Sequence, residues 1–203
     1  TRGGARVNTV RRVGLGLAIA VGLVLAIGLT VSWSGNRALA ADTAGAVRTA
    51  GMLAAAGTGT PSVETLQHLD SLRATVQRLR EYEQNGAPTG LRWGLYSGNA
   101  LLPDARKAYF AAFDKLLFAD TRTALTSTLS QVPAAPRPTD DYGSTYKVLK
   151  AYLITTTNPE HSTEDFLSPV LLSQWSATRG PDSTQIQLAQ RQFGFYSREL
   201  PIG

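Results

Sequence analysis

Cysteine is absent from this chain of 203 residues, and methionine and histidine are scarce, with one and two copies. Without cysteine the chain forms no disulfide, no thiolate zinc site and no iron–sulfur cluster, and it has no thiol nucleophile. The two histidines, His68 and His161, lie far apart in the sequence and have no metal-ligand spacing. We therefore predict no metal site and no cofactor.

Catalytic signatures are also missing, since the sequence contains no P-loop, no nucleophile elbow, no H-E-x-x-H pair and no EF-hand loop. A Gly57-Thr58-Gly59 run follows an alanine-rich segment rather than a strand, which argues against a dinucleotide loop. Each pair of neighbouring carboxylates has a structural explanation. Glu81 and Glu83 point to different faces of a helix. Asp140 and Asp141 are helix-cap candidates, and Glu164 and Asp165 lie in a first helical turn. We predict no catalytic residues and a non-enzymatic protein.

The first acidic residue of the chain is Asp42, so the N-terminal segment before it has none. Four of the 20 basic residues precede residue 13: Arg2, Arg6, Arg11 and Arg12. Most of the net charge of +5 therefore lies at the N-terminus, and the rest of the chain is nearly neutral. A nearly neutral body has no basic stripe for a phosphate backbone, so we predict no nucleic-acid partner.

An uncharged apolar run, residues 13–33, follows these arginines. As a helix it would be about 31 Å long, which matches the hydrocarbon core of a bilayer. The basic flank, with Arg11 and Arg12 adjacent to the run, predicts that residues 1–12 are cytoplasmic and that the body is extracytoplasmic. Trp33 ends the run, where an aromatic belt residue is expected.

A cleaved signal peptide is the alternative to a membrane anchor. Ala38-Leu39-Ala40 resembles an A-x-A cleavage site. The apolar run is longer than the usual signal-peptide core of about 7–15 residues, however, so the anchor is the favoured interpretation.

Small residues recur at every fourth position of the apolar run and form one ridge: Gly14, Ala18, Gly22, Ala26 and Thr30. Small side chains let another helix approach closely, which is the main source of helix association in lipid. We predict that this ridge packs against a membrane helix of a second copy or of a different protein. The alternative is that the spacing is a coincidence, since Gly and Ala are common in membrane helices.

The body has helical periodicity and no convincing strand alternation, so we predict an all-α protein with a single transmembrane helix followed by a helical bundle or stalk. The expected divisions are a membrane-proximal extension over 34–59, helical regions over 60–132 and 141–203, and a proline-rich linker over 133–140.

More local expectations concern where helices begin and which faces are buried. Thr60 with Pro61 is expected to cap one helix, Pro103 to open the next, and a bend or break to lie between Phe118 and Thr121. On the helix that follows Pro61 we expect the apolar stripe Leu69, Leu72, Val76 and Leu79, and we expect Asp182 to cap the last helix. We further expect a capping box at Ser162 and Asp165, and an amphipathic helix with the stripe Tyr142, Tyr146, Leu149 and Leu153.

Two phrases in the body are similar to a known family. They are Gly94-Leu95-Tyr96-Ser97-Gly98-Asn99 and Tyr146-x-x-Leu149-Lys150-Ala151-Tyr152-Leu153, accompanied by Ala105-x-x-Ala108-Tyr109, Phe166-Leu167 and Trp175. Behind a single membrane helix, they resemble the segment after the last transmembrane helix of the IcmF/TssM family of type VI secretion systems, over roughly residues 13–200. One departure is Phe118, since family members often have a proline after the pair that corresponds to Leu116-Leu117.

The resemblance implies a structural scaffold of a trans-envelope secretion complex in the bacterial inner membrane, with a cytoplasmic N-terminus and a periplasmic body. It implies contacts with other copies of the chain, a TssL-like inner-membrane subunit and the lipid bilayer. A TssJ-like outer-membrane lipoprotein is expected to bind a region beyond this segment. An NTPase-like domain precedes the helix in family members, and no nucleotide site is carried over to these residues.

Two other functions are open at this point. A membrane-anchored extracytoplasmic sensor would predict a second transmembrane helix that leads to an output domain, and residues 34–203 contain no second apolar run of that length. A tethered hydrolase would need a convergent polar site, which the sequence does not indicate.

Overall fold

A computed structural model describes the backbone over residues 3–56, 59–93, 95–133, 135 and 141–202, and side chains over the same ranges except 3–13 and 53–56. The side chains of Arg11 and Arg12, Gly94 and most of the predicted linker 133–140 lie outside the described residues. Over these ranges the chain forms α1 (Gly3–Ala56), α2 (Val63–Asn85), α3 (Gly98–Phe113), α4 (Ala119–Ser130), α5 (Tyr142–Thr156), α6 (Glu164–Arg179) and α7 (Ser183–Glu199). No strand occurs among them, which confirms the all-α prediction.

The first helix, α1, continues without interruption through its 54 residues, a length of about 81 Å. Every described side chain from Gly14 to Ile27 is exposed. Further along, Ser32, Asn36 and Leu39 are buried at steps of four and three, so they form one stripe that faces the body. α1 therefore has a free apolar half and a half that is packed into the fold.

The body forms one hydrophobic core around this packed half. Helices α2 and α3 contact α1, α7 packs on α2, and α6 connects α7 to α4 and α5. The predicted apolar stripe of α2 is confirmed, because Leu69, Leu72, Val76 and Leu79 are buried. Both sides of the predicted linker contribute to the core, so the division of the body into two regions stays a prediction.

A π-helical turn, Asp114–Phe118, joins α3 to α4. No break occurs between Phe118 and Thr121, because the helix continues into α4. The irregularity expected near Phe118 is this π turn, which ends at that residue. A π turn adds one residue to a helical turn and so rotates everything that follows. This rotation lets Tyr109 and Leu125 be buried in the same core without a proline.

Two helices in the first half of the body begin elsewhere than predicted. Ser62 caps α2, where its Oγ accepts a hydrogen bond from the Thr65 amide at 3.1 Å, so Thr60 is not the cap. α3 begins at Gly98, and Pro103 lies inside it rather than at its start. Pro103 is the sixth residue of α3, so its missing N–H removes one backbone hydrogen bond, to the carbonyl of Asn99.

The capping box expected at Ser162 does not form. Thr163 precedes α6 without a side-chain cap, and the Ser162 hydroxyl donates instead to the carbonyl of Ser197 on α7 at 2.7 Å. A capping box does occur at the start of α7, where Asp182 and Gln185 satisfy each other's backbone amides. Tertiary contact with α7 thus replaces the local cap of α6.

Candidate interaction surfaces

The free half of α1 is the first candidate surface. Residues Gly14–Met52 contain a window with a mean hydropathy of 2.4 and no buried residue, and this is the one helix among the described residues that is apolar enough to cross a membrane. The predicted ridge is uncovered, since a Cβ built at Gly14 or Gly22 meets no described atom within 4 Å. Ala18, Ala26 and Thr30 are exposed as well, so the packing role of the ridge stays a prediction.

The second candidate surface lies where α1 enters the body. A short segment that we call the Trp93 loop, residues 88–93, contains a 3-10 turn and packs on α1. A Cβ at Gly28 would lie 2.7 Å from three ring atoms of Trp93, and a Cβ at Gly35 would lie 2.7 Å from Leu91 Cδ2. A side chain at Gly28 would therefore displace the Trp93 ring, whereas one at Gly35 would require only the end of the Leu91 side chain to shift.

Hydrogen bonds hold the same loop on α1. The carbonyl of Leu91 accepts from Ser32 Oγ at 3.0 Å and from Asn36 Nδ2 at 3.1 Å. Asn36 Oδ1 accepts from the Ser97 amide at 3.3 Å. No sequence pattern indicated Gly28 or Trp93, whereas Asn36 is a polar residue three positions beyond the apolar run and is the one local signal of this contact.

Trp33, predicted to mark the membrane boundary, is 55% exposed, and the guanidinium of Arg37 lies 5.4 Å from its ring centroid. The pair therefore presents an amphipathic surface on α1, next to the Trp93 loop.

The first family phrase forms the entry to α3. Tyr96 folds over Gly98, and its hydroxyl occupies the space that a Cβ there would need. Burial raises the pKa of Tyr96, and the charges of Tyr82 and Glu83 raise it further. Leu95 and Asn99 are exposed, so this phrase combines a packing contact with two residues that are open to solvent.

The second family phrase lies on α5, and its predicted buried stripe is wrong. Val148, Ala151 and Ile154 face the core, because the small Ala151 lets α5 lie close to its neighbours. Tyr152 is half-buried. The opposite face is exposed, with fractions of 48%, 64%, 42% and 42% for Tyr142, Tyr146, Leu149 and Leu153. Both faces are apolar, so periodicity alone could not select the buried one.

Trp175, the last family residue, is fully buried on α6 and belongs to the core. Near it, a groove of about 390 Å³ lies between α5 and α6, with Lys147 and Asp165 on its walls. Among the described residues, no three His, Cys, Asp or Glu side chains come together as metal ligands.

Buried polar contacts connect the helices of the body. Asp70 Oδ1 accepts from Arg73 Nε at 2.7 Å and from Gln192 Nε2 at 2.9 Å, and Tyr109 donates to Gln192 at 3.1 Å. Burial acts to raise the pKa of Asp70, but the hydrogen bonds and charges of Arg73, Gln192 and Arg191 outweigh it and hold the pKa below its usual value. Burial raises the pKa of Tyr109. This network therefore fixes α2, α3 and α7 together.

A second polar cluster lies at the C-terminal end of α7. Glu199 is 5% exposed and forms an ion pair with Arg80 of α2, and its second oxygen lies 3.4 Å from Arg106 Nε of α3. The Arg106 contact has no hydrogen-bond geometry, so attraction between charges holds it. No local sequence pattern indicates this cluster, because its members are far apart in the chain.

The body is also the part of the chain that matches a known protein family. The sequence profile of a family described as "IcmF-related: Intracellular multiplication and human macrophage-killing" matches residues 66–202, which is more than half of the chain. The chain belongs to the IcmF-related family. Membership associates it with secretion systems of the type VI or Dot/Icm kind, in a family of structural components. No curated protein and no solved structure matches it.

Within this IcmF-related chain, the matched region begins in α2 and contains both family phrases. α1 lies outside the matched region, and the Trp93 loop lies inside it. The contacts between them therefore join the apolar helix to the matched body.

Proposed function

We propose that this IcmF-related chain is a non-enzymatic scaffold subunit that anchors a trans-envelope secretion complex in the bacterial inner membrane. The observation that carries the proposal is the continuity of α1, which runs from an exposed apolar half directly into the core of the family-matched body. A rigid helix of this kind transmits the position of the membrane to the body without a flexible linker. Family membership supplies the association with secretion.

The proposed topology places the N-terminus in the cytoplasm and the body in the periplasm, on the evidence of the basic N-terminal flank. The absence of cysteine makes this easy to test, because a single introduced thiol reports alone. We expect Thr123→Cys, an exposed position on α4, to react with a membrane-impermeant maleimide once the outer membrane is permeabilised. Reaction only after rupture of the inner membrane would overturn the proposed orientation.

The proposed protein partners of these residues are other copies of the chain and a TssL-like inner-membrane subunit. A TssJ-like lipoprotein is proposed to bind a region beyond this segment. The exposed ridge of α1 and the exposed apolar face of α5 support such contacts, because neither is covered by the described residues of the same chain. On α5, the residues concerned are Tyr146, Leu149 and Leu153.

Site-specific photo-crosslinking in cells, followed by mass spectrometry, tests these partners. Probes at Gly22 and Leu149 are expected to recover copies of the chain together with other membrane subunits of a secretion complex. Gly16, exposed on α1 but off the ridge, and Thr123, exposed and polar on α4, are the matched controls. Equal yields at probe and control positions, or adducts without any secretion subunit, would contradict the scaffold role.

A further inference from the structure

We infer that the Trp93 loop is embedded in the lipid surface, in the leaflet on the side of the body. This inference rests on the proposed membrane anchor and adds a second element of the chain that contacts lipid. It begins from the length of α1 that is free of protein contacts. Residues 14–27 cover about 21 Å, whereas the hydrocarbon core of a bilayer is about 30 Å thick.

The missing length has to come from residues after Ile27. On the N-terminal side, Arg11 and Arg12 oppose a shift of the membrane toward the N-terminus, because ionised side chains are costly in hydrocarbon. On the other side, no charged residue occurs until Arg37. The span therefore extends to about Trp33, and its last turns are the ones on which the loop packs.

The position of Trp93 follows from this register. Its ring contacts Gly28, which precedes Trp33 by five positions, or about 7 Å along the axis. Tryptophan is enriched at the membrane–water interface, where its apolar ring contacts lipid and its polar N–H faces a hydrated environment. Trp93 and Trp33 thus lie close to the same boundary, and Trp93 is half-buried, so part of its surface remains open.

The backbone of the loop is suited to a poorly hydrated environment. The amide of Leu91 donates to Pro88 at 2.8 Å, and that of Arg92 donates to Thr89 at 3.2 Å. The carbonyl of Leu91 accepts twice, from Ser32 and Asn36. Backbone groups at membrane depth must find partners within the protein, and these bonds provide them for the amides of Leu91 and Arg92 and for three carbonyls of the loop.

The charge of the region fits the phosphate layer of a lipid surface. Residues 84–103 contain no acidic residue, and their one charged residue is Arg92, which is exposed. Arg37 adds a second exposed cation beside Trp33. Arginine next to tryptophan at a membrane boundary binds phosphate oxygens while the indole contacts acyl chains.

The chain has three tryptophans, which suit a depth measurement by fluorescence quenching. The full chain is reconstituted into phosphatidylcholine vesicles whose acyl chains are brominated near the glycerol end. The Trp33→Phe variant retains Trp93 and Trp175, and the Trp93→Phe variant retains Trp33 and Trp175. The double variant retains Trp175 alone. Trp175 is fully buried in α6 and serves as the internal control.

We expect bromine to reduce the emission of the two single variants to a similar extent and to leave the double variant unchanged. Quenching of Trp33 without quenching of Trp93 would overturn the inference and leave the anchor intact. If neither is quenched, the membrane anchor itself fails.

A second measurement covers the case in which loss of Trp93 unfolds the loop. A nitroxide on Thr89→Cys is expected to collide more with oxygen than with a polar nickel chelate. The same label on Thr178→Cys, exposed at the end of α6, is expected to favour the chelate. Equal behaviour of the two labels would also overturn the inference.

Discussion

The ring of Trp93 occupies the space that a side chain at Gly28 would need, since three ring atoms lie 2.7 Å from the Cβ position. Gly28 does not belong to the predicted ridge of small residues, so the apolar helix has glycines with two different roles. Gly14 and Gly22 are open to a partner, whereas Gly28 already has one within the chain.

Gly28→Leu is expected to displace the Trp93 loop. The larger side chain cannot share the space of the ring, so hydrogen exchange of the amides of Leu91 and Arg92 should accelerate. Gly16→Leu is the matched control, because a Cβ at Gly16 meets nothing within 4 Å. Unchanged exchange in Gly28→Leu would show that the contact does not hold the loop.

Asp70→Asn is expected to lower the free energy of unfolding by about 1–3 kcal/mol at neutral pH, because a buried charged acceptor loses strength toward Arg73 and Gln192. The lowered folded pKa means that the stabilisation is present above the ordinary value of 3.8 and is lost as the pH falls through the folded pKa. Denaturant unfolding in detergent should therefore show the difference from the parent chain shrinking in acid. Glu64→Gln, at an 82% exposed side chain, should show neither effect.

Glu199→Ala is expected to destabilise the body by about 3–5 kcal/mol, because it leaves the partly buried cations Arg80 and Arg106 without their shared anion. Glu160→Ala, which removes an exposed partner of His161, is expected to change stability by less than about 0.5 kcal/mol. Comparable unfolding midpoints for the two variants would contradict the role of Glu199.

Two adjacent residues of α5 distinguish its faces. Ile154→Ala is expected to cost about 2–5 kcal/mol, since Ile154 is buried, whereas Leu153→Ala should stay within about 0.5 kcal/mol. If Leu153 belongs to a partner contact, its substitution should instead reduce crosslinking from Leu149. A large loss of stability in Leu153→Ala would contradict this assignment and show that Leu153 packs in the core.

Helix existence was more predictable than helix detail. The stripe of α2 and the cap at Asp182 follow from local spacing and local chemistry, and both are present. Ser162 does not cap α6, and its hydroxyl donates to the carbonyl of Ser197, a contact between residues distant in sequence that local spacing does not indicate. Local periodicity indicated an irregularity near Phe118, but it did not specify a π turn at Asp114–Phe118, which lets one continuous helix bury two faces.

The sequence alone determined the all-α class, the apolar helix behind a basic flank and the family, because each depends on composition or on short-range order. Only the tertiary structure decided which face of α5 is buried, where Glu199 finds its cations and what lies against Gly28. The physical reason is that these contacts join residues far apart in the chain. Their partners are selected by how the helices pack, which local periodicity does not contain.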